Sequence, residues 1–123
     1  MSNQGLEIEE KVKQILQKEF GRLTKQKLPI GKNKKEFDLV TDDGQVVIEV
    51  KSYKLGNETT KKAGYSTTRK QRLVTACVYL DNINAKRKIL ALTNKELHEQ
   101  FRHDMTGDGL FTSVEILYVP IDN

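Results

Sequence analysis

The sequence predicts an α/β sandwich: a central mixed sheet with helices on both sides. Three observations lead there. Segments with helical periodicity and segments with strand character succeed one another in the order α-β-β-β-α-β-α-β. Two of the strand-like runs are joined by Asp42-Asp43-Gly44, and Asp-Gly is a strong hairpin signal. The length is 123 residues, 37% apolar and 31% charged, which suits one globular domain over residues 1–123 that can bury a core without staples.

Residues 6–20 read as an amphipathic helix, because Ile8, Val12, Ile15, Leu16 and Phe20 recur at helical spacing and Gly21 then stops the pattern. Residues 23–30 carry a weaker strand pattern, broken at Pro29–Gly31. Residues 35–41 and 45–51 are the clearest strand pair, and residues 52–66 read as a polar loop. Thr68-Arg69-Lys70-Gln71 has the form of a capping box opening a helix to about Asn82, with Leu73, Ala76, Cys77 and Leu80 as its apolar face. Residues 87–93 read as a buried strand. Thr93-Asn94-Lys95-Glu96 is a second capping box, for a short helix to about residue 104. Gly107-Asp108-Gly109 reads as a turn and residues 112–119 as the last strand.

Composition excludes several classes. Cys77 is the single cysteine, so an intrachain disulfide framework is impossible and a reducing compartment fits. The first residues lack the apolar core of a signal peptide, and no apolar run approaches the roughly 18 residues that span a membrane. A cytoplasmic location with no membrane partner is the expectation. No P-loop, dinucleotide fingerprint or zinc pattern is present.

Net charge is only +4, but its distribution is uneven. Residues 22–35 hold Arg22, Lys25, Lys27, Lys32, Lys34 and Lys35 and no acid. Residues 54–72 hold Lys54, Lys61, Lys62, Arg69, Lys70 and Arg72 against Glu58. These blocks flank the acidic stretch 36–49. Such segments suit a polyanion, whose phosphates attract Lys and Arg. Ordinary solvated loops have the same composition.

If Asp43-Gly44 forms the centre of the hairpin turn, Asp38 lies directly opposite Glu49, and Glu36 opposite Lys51. Two facing carboxylates repel, so a cation between them is expected, and Mg²⁺ takes one or two carboxylates while keeping several waters. Strand side chains alternate, so Glu49 and Lys51 share a face, and Asp38, Glu49 and Lys51 are expected to converge on one surface. A metal there would activate water, and the lysine would orient it or stabilise developing charge. The wet face of a plain hairpin also carries charged residues, with Glu36 and Lys51 as a surface ion pair. Glu9, one turn before Val12, lies on or beside the core-facing stripe, where an acid is costly unless paired or metal-bound.

Together, Glu9 on a first helix, Phe37-Asp38-Leu39-Val40 on one strand and Ile48-Glu49-Val50-Lys51 on the next resemble the PD-(D/E)xK nuclease superfamily, the restriction-endonuclease-like fold. The resemblance covers residues 5–119, and its specificity lies in the combination of short motifs. Phe37 stands where some members have Pro. The resemblance implies an α-β-β-β-α-β core and a metal-dependent endonuclease. Asp38 and Glu49 would hold Mg²⁺, or Mn²⁺ as a substitute, with the carbonyl of Val50. Lys51 would assist the water, and Glu9 would join through the metal's water shell or a second ion. Gln71 stands near a site-facing Gln or Lys of several members, or serves as the Thr68 cap partner. The small size and basic loops are similar to archaeal-type Holliday-junction resolvases or a minimal endonuclease core. A homodimer is implied, since one active site cuts one strand.

The expected substrate is nucleic acid, DNA in the first place. The candidate contacts are Lys34, Lys35, Lys54, Lys61, Lys62, Arg69, Lys70, Gln71 and Arg72. Tyr53 and Tyr65 flank the second basic block and could stack on bases or pack over the sheet. His98 and His103 lack same-face metal spacing, and Cys77 reads as a small core residue. A catalytically inactive nucleic-acid-binding module of the same fold is the alternative, and a plain protein-interaction domain is the third class.

Overall fold

The structure is a computed structural model and describes residues 4–52 and 67–121. Lys54, Lys61, Lys62, Tyr53 and Tyr65 lie outside the described residues. Helix α1 (Gln4–Phe20) ends where Gly21 takes φ +82° and returns its N–H to the Gln17 carbonyl at 2.9 Å. Strand β1 (Leu23–Ile30) turns tightly at Gly31 into β2 (Asn33–Thr41), and the two pair antiparallel from Ile30↔Asn33 to Leu23↔Thr41 with one break in register between Thr24 and Gln26. The sequence signal for β1 is weak because β1 is an edge strand with one polar side, and an edge tolerates Pro29.

Strand β3 (Val46–Lys51) returns from β2 through residues 42–45. The Gly44 N–H donates to the Thr41 carbonyl at 2.9 Å. The Asp43 carboxylate takes the Thr41 hydroxyl at 2.8 Å and the Gln45 N–H at 3.0 Å. The loop is longer than the two-residue turn expected, but it has the same centre. The rungs Leu39↔Ile48 and Val40↔Val47 therefore keep the expected register.

Helix α2 (Thr67–Asp81), β4 (Arg87–Leu92), α3 (Lys95–Asp108) and β5 (Val114–Tyr118) complete the order. The helix α2 begins before Thr68, so Thr68 sits inside its first turn rather than at its cap. Asn94, not Thr93, caps α3, its side chain accepting the Leu97 N–H at 2.9 Å. Helix α3 also absorbs Gly107-Asp108, expected in a turn, and ends at Gly109 with φ +68°.

The sheet runs β1-β2-β3-β4-β5, antiparallel through β3 and parallel from β3 to β5. Both parallel crossovers proceed in one direction. Right-handed connections then place α2 and α3 on one face. One core joins Leu73, Ala76, Cys77 and Leu80 of α2 with Leu97, Phe101 and Met105 of α3, over Phe37, Val47 and Leu90. The other joins Val12 and Leu16 of α1 to Leu39, Ile48 and Ile89. Central β4 is buried from both sides, which is why its sequence runs apolar without alternation. Far from Lys51, at the start of β4, Arg87 forks onto Glu115 at 2.7 and 2.9 Å and reaches Glu19 at 3.5 Å. Among the described residues no helix is long and apolar enough to cross a membrane.

Candidate active site

The site begins as an irregularity in β2. Thr24 pairs with Val40, but the next rung is Gln26 with Phe37, so Asp38 and Leu39 both stand opposite Lys25. That is a β-bulge, a device that re-aims side chains beside functional sites. On its other side, β2 stops pairing with β3 after Leu39↔Ile48. Asp38 therefore sits where β2 leaves both neighbours, and the expected Asp38–Glu49 rung does not form.

The two carboxylates take over the bonds that the ladder gives up. Glu49 Oε1 accepts the Asp38 N–H at 2.9 Å, and Asp38 Oδ2 accepts the Val50 N–H at 2.9 Å. Each acid thus satisfies backbone that the parting strands would otherwise strand.

The faces also differ from expectation. Glu49 follows Val47 by two residues and points, with Lys51, to the α2 side. Both line a cleft of about 420 Å³ together with Lys35, Gln71, Arg72 and Tyr79. The bulge turns Asp38 toward α1. Leu39 packs there, Lys25 meets Glu9 at 3.4 Å, and the Glu9 carboxyl lies close enough to that of Asp38 for the two to affect each other's ionisation. Asp38 does not line the cleft. Asp38 thus stands between the other two acids, beside Glu9 on the α1 side and bonded through its N–H to Glu49 across the opening between β2 and β3.

This grouping is electrostatically costly. Glu49 is 4% exposed. Burial pushes its carboxyl above the usual range, the Asp38 charge adds to the shift, and the Asp38 N–H and Lys35 oppose it. Burial likewise raises Glu9, aided by the Asp38 carboxyl beside it and opposed by Lys25.

Lys35 is the counter-ion of Glu49. Its Nζ lies 3.2 Å from Glu49 Oε2, 4.8 Å from the Phe37 ring centroid and 5.1 Å from that of Tyr79. Acidic oxygen donors are the right chemistry for a hard divalent cation. Among the described residues, however, no three metal-capable side chains are grouped to hold one. The Lys35 ammonium pairs with Glu49 Oε2 and the Asp38 N–H with Oε1, so an ion at Glu49 would compete with Lys35.

The remaining candidates divide. Gln71 and Arg72 are exposed and line the cleft. Lys34 is exposed near the β1–β2 turn, and Arg69 is half-buried. Lys70 turns to Asp104 of α3 at 3.7 Å. His98 Nε2 meets the Ile116 carbonyl at 3.0 Å beside Tyr118, and His103 is exposed, so neither joins the acids. Sequence reasoning missed Lys25 and Lys35 as counter-ions, and it missed Tyr79. A signal for Tyr79 existed, since Gln71, Thr75 and Tyr79 recur every four residues on one helical stripe. No protein-family model, curated protein or solved structure matches this chain.

Proposed function

We propose that the chain is a metal-dependent phosphodiesterase acting on nucleic acid. More particularly, it would be an endonuclease of the PD-(D/E)xK type with a restriction-endonuclease-like core, cutting DNA. The observation that carries the reading is Asp38 set at a bulge between two acids whose carboxyls are both raised, Glu9 on one side and Glu49 on the other. Folding alone gains little from like charges on both sides of Asp38, and perturbed carboxyls of this kind cluster at working sites.

Asp38 and Glu49 would hold Mg²⁺ or Mn²⁺, with Glu9 acting from the α1 side and the Val50 carbonyl nearby. When bound, the ion would supply an activated water and a Lewis-acid contact to the phosphoryl oxygen. Lys51, two residues beyond Glu49 in the same cleft, would stabilise charge on the reacting phosphate. Gln71 and Arg72 line the approach for the adjoining backbone phosphates. Cutting both strands of a duplex would use two copies of the chain.

The test is cleavage of supercoiled plasmid, a four-way junction, single-stranded DNA and RNA with Mg²⁺, Mn²⁺ or EDTA. Metal-dependent products are expected. Glu49→Gln or Lys51→Ala should lower the rate by about 10²–10³. Full activity in either variant overturns the assignment.

The Lys35–Glu49 pair favours a second reading, a nucleic-acid-binding module without catalysis in which the ammonium holds the cation's place. It predicts salt-sensitive DNA binding with no metal-dependent product under any condition.

A further inference from the structure

A second cleft, of about 410 Å³, adjoins the first. Ile30, Asn33, Lys34 and Glu36 of the β1–β2 hairpin line it, and it shares Lys35 and Tyr79 with the cleft over Glu49. The two clefts therefore meet at one lysine and one aromatic ring. Tyr79 is 39% exposed, so its ring is reachable from both clefts. Its neighbour Val78 is 43% exposed. Four basic side chains line the path, Arg72, Lys51, Lys35 and Lys34, against two acids, Glu49 and Glu36.

We infer that these clefts form one track for an unpaired nucleic-acid strand, with Tyr79 as the platform on which one base stacks. The inference rests on the nucleic-acid reading above and names its substrate class. An aromatic face between clefts with an excess of basic over acidic side chains suits splayed bases with a phosphate backbone running past them. A paired duplex keeps its base faces stacked inside the helix, so it has none to offer Tyr79. Lys35 links the platform to the acids, because the same ammonium that pairs with Glu49 lies against the Tyr79 ring.

The chain has no tryptophan, so Tyr79→Trp introduces a fluorophore without background. The experiment titrates this variant in EDTA with oligothymidylate, oligouridylate, a blunt DNA duplex and polyglutamate, and measures anisotropy of labelled oligomers with wild type and Tyr79→Ala. Either single strand should quench the fluorescence, and the two oligomers distinguish a DNA from an RNA track. Tyr79→Ala should weaken single-strand binding by about tenfold or more while changing duplex binding less than about twofold. The urea midpoint of Tyr79→Ala checks its fold, and the Tyr79→Trp quench reads the platform independently of that variant. Absence of quenching by both single strands, equal losses for single strand and duplex, or quenching by polyglutamate overturns the platform. Cleavage separates the two readings. Quenching with no metal-dependent product keeps the platform and removes the nuclease, whereas cutting by wild type with Tyr79→Ala unaffected does the reverse.

Discussion

Asp38→Asn should stabilise the fold at neutral pH while abolishing the proposed cleavage. The side chain keeps its shape, and the amide oxygen can still accept the Val50 N–H now bound by Oδ2 at 2.9 Å. That bond loses its ionic character, a cost of about 1 kcal/mol. Against this, the like-charge contacts with Glu49 and Glu9 disappear. Unit charges ~5 Å apart interact by about 3 kcal/mol at an effective dielectric near 20. Solvent reaches Glu9, and Lys25 and Lys35 already offset part of the repulsion, so roughly 1–2 kcal/mol of net stabilisation remains. The pH dependence supplies the sign. Glu9 and Glu49 have folded pKa values raised above the ordinary 4.5. Between the ordinary and raised values the native state binds more protons than the unfolded state, so stability falls as pH rises through that window. In Asp38→Asn the fall should be smaller, and the two proteins should converge where all the carboxyls are protonated. The assay is urea unfolding from acid to neutral pH, with the variant's midpoint at neutral pH higher by about 0.5–1 M at unchanged m. A lower midpoint at unchanged m would refute the reasoning, since the Asp38 charge would then be a net stabiliser of the strand opening.

Other expectations test neighbouring parts. Lys35→Met should cost about 1–3 kcal/mol at neutral pH, less than the usual loss for breaking a buried pair because the Lys35 side chain is 26% exposed. The loss should shrink in acid as Glu49 takes up its proton, and a pH-independent loss measured by urea unfolding would assign it to packing on Phe37 and Tyr79 instead. Asn94→Ala should destabilise by about 0.5–2 kcal/mol through the lost cap of α3, while Thr93→Ala leaves that cap intact; melting temperatures of the pair decide between them. Burial pushes the Cys77 thiol up to about 12, so a thiol reagent should label it only at the rate of unfolding, and rapid labelling of native protein would contradict that burial.

Much of this architecture was legible in the residues. The order of helices and strands follows from periodicity and stop signals, and β4 announces its central place by an unbroken apolar run. The β2–β3 register survives a misjudged turn length because the longer loop keeps the same centre, so Leu39 still meets Ile48. Glu9, Asp38, Glu49 and Lys51 could be singled out because acids beside a core stripe and across a hairpin are improbable on stability alone. Only the tertiary structure decided how they meet. A bulge exists only in the relation of β2 to β1, and the pattern of β2 alone carries no mark of the extra residue opposite Lys25. That one residue turns Asp38 to the α1 face and leaves Glu49 and Lys51 on the α2 face, where local alternation had put all three together. Lys35 is one of many surface-like lysines in the sequence. Its pairing with a buried Glu49 depends on β3 and α2 arriving from elsewhere in the chain. Local propensities and turns act within a few residues and can be read there, whereas a side chain's facing and counter-charge depend on strands and helices brought together by folding.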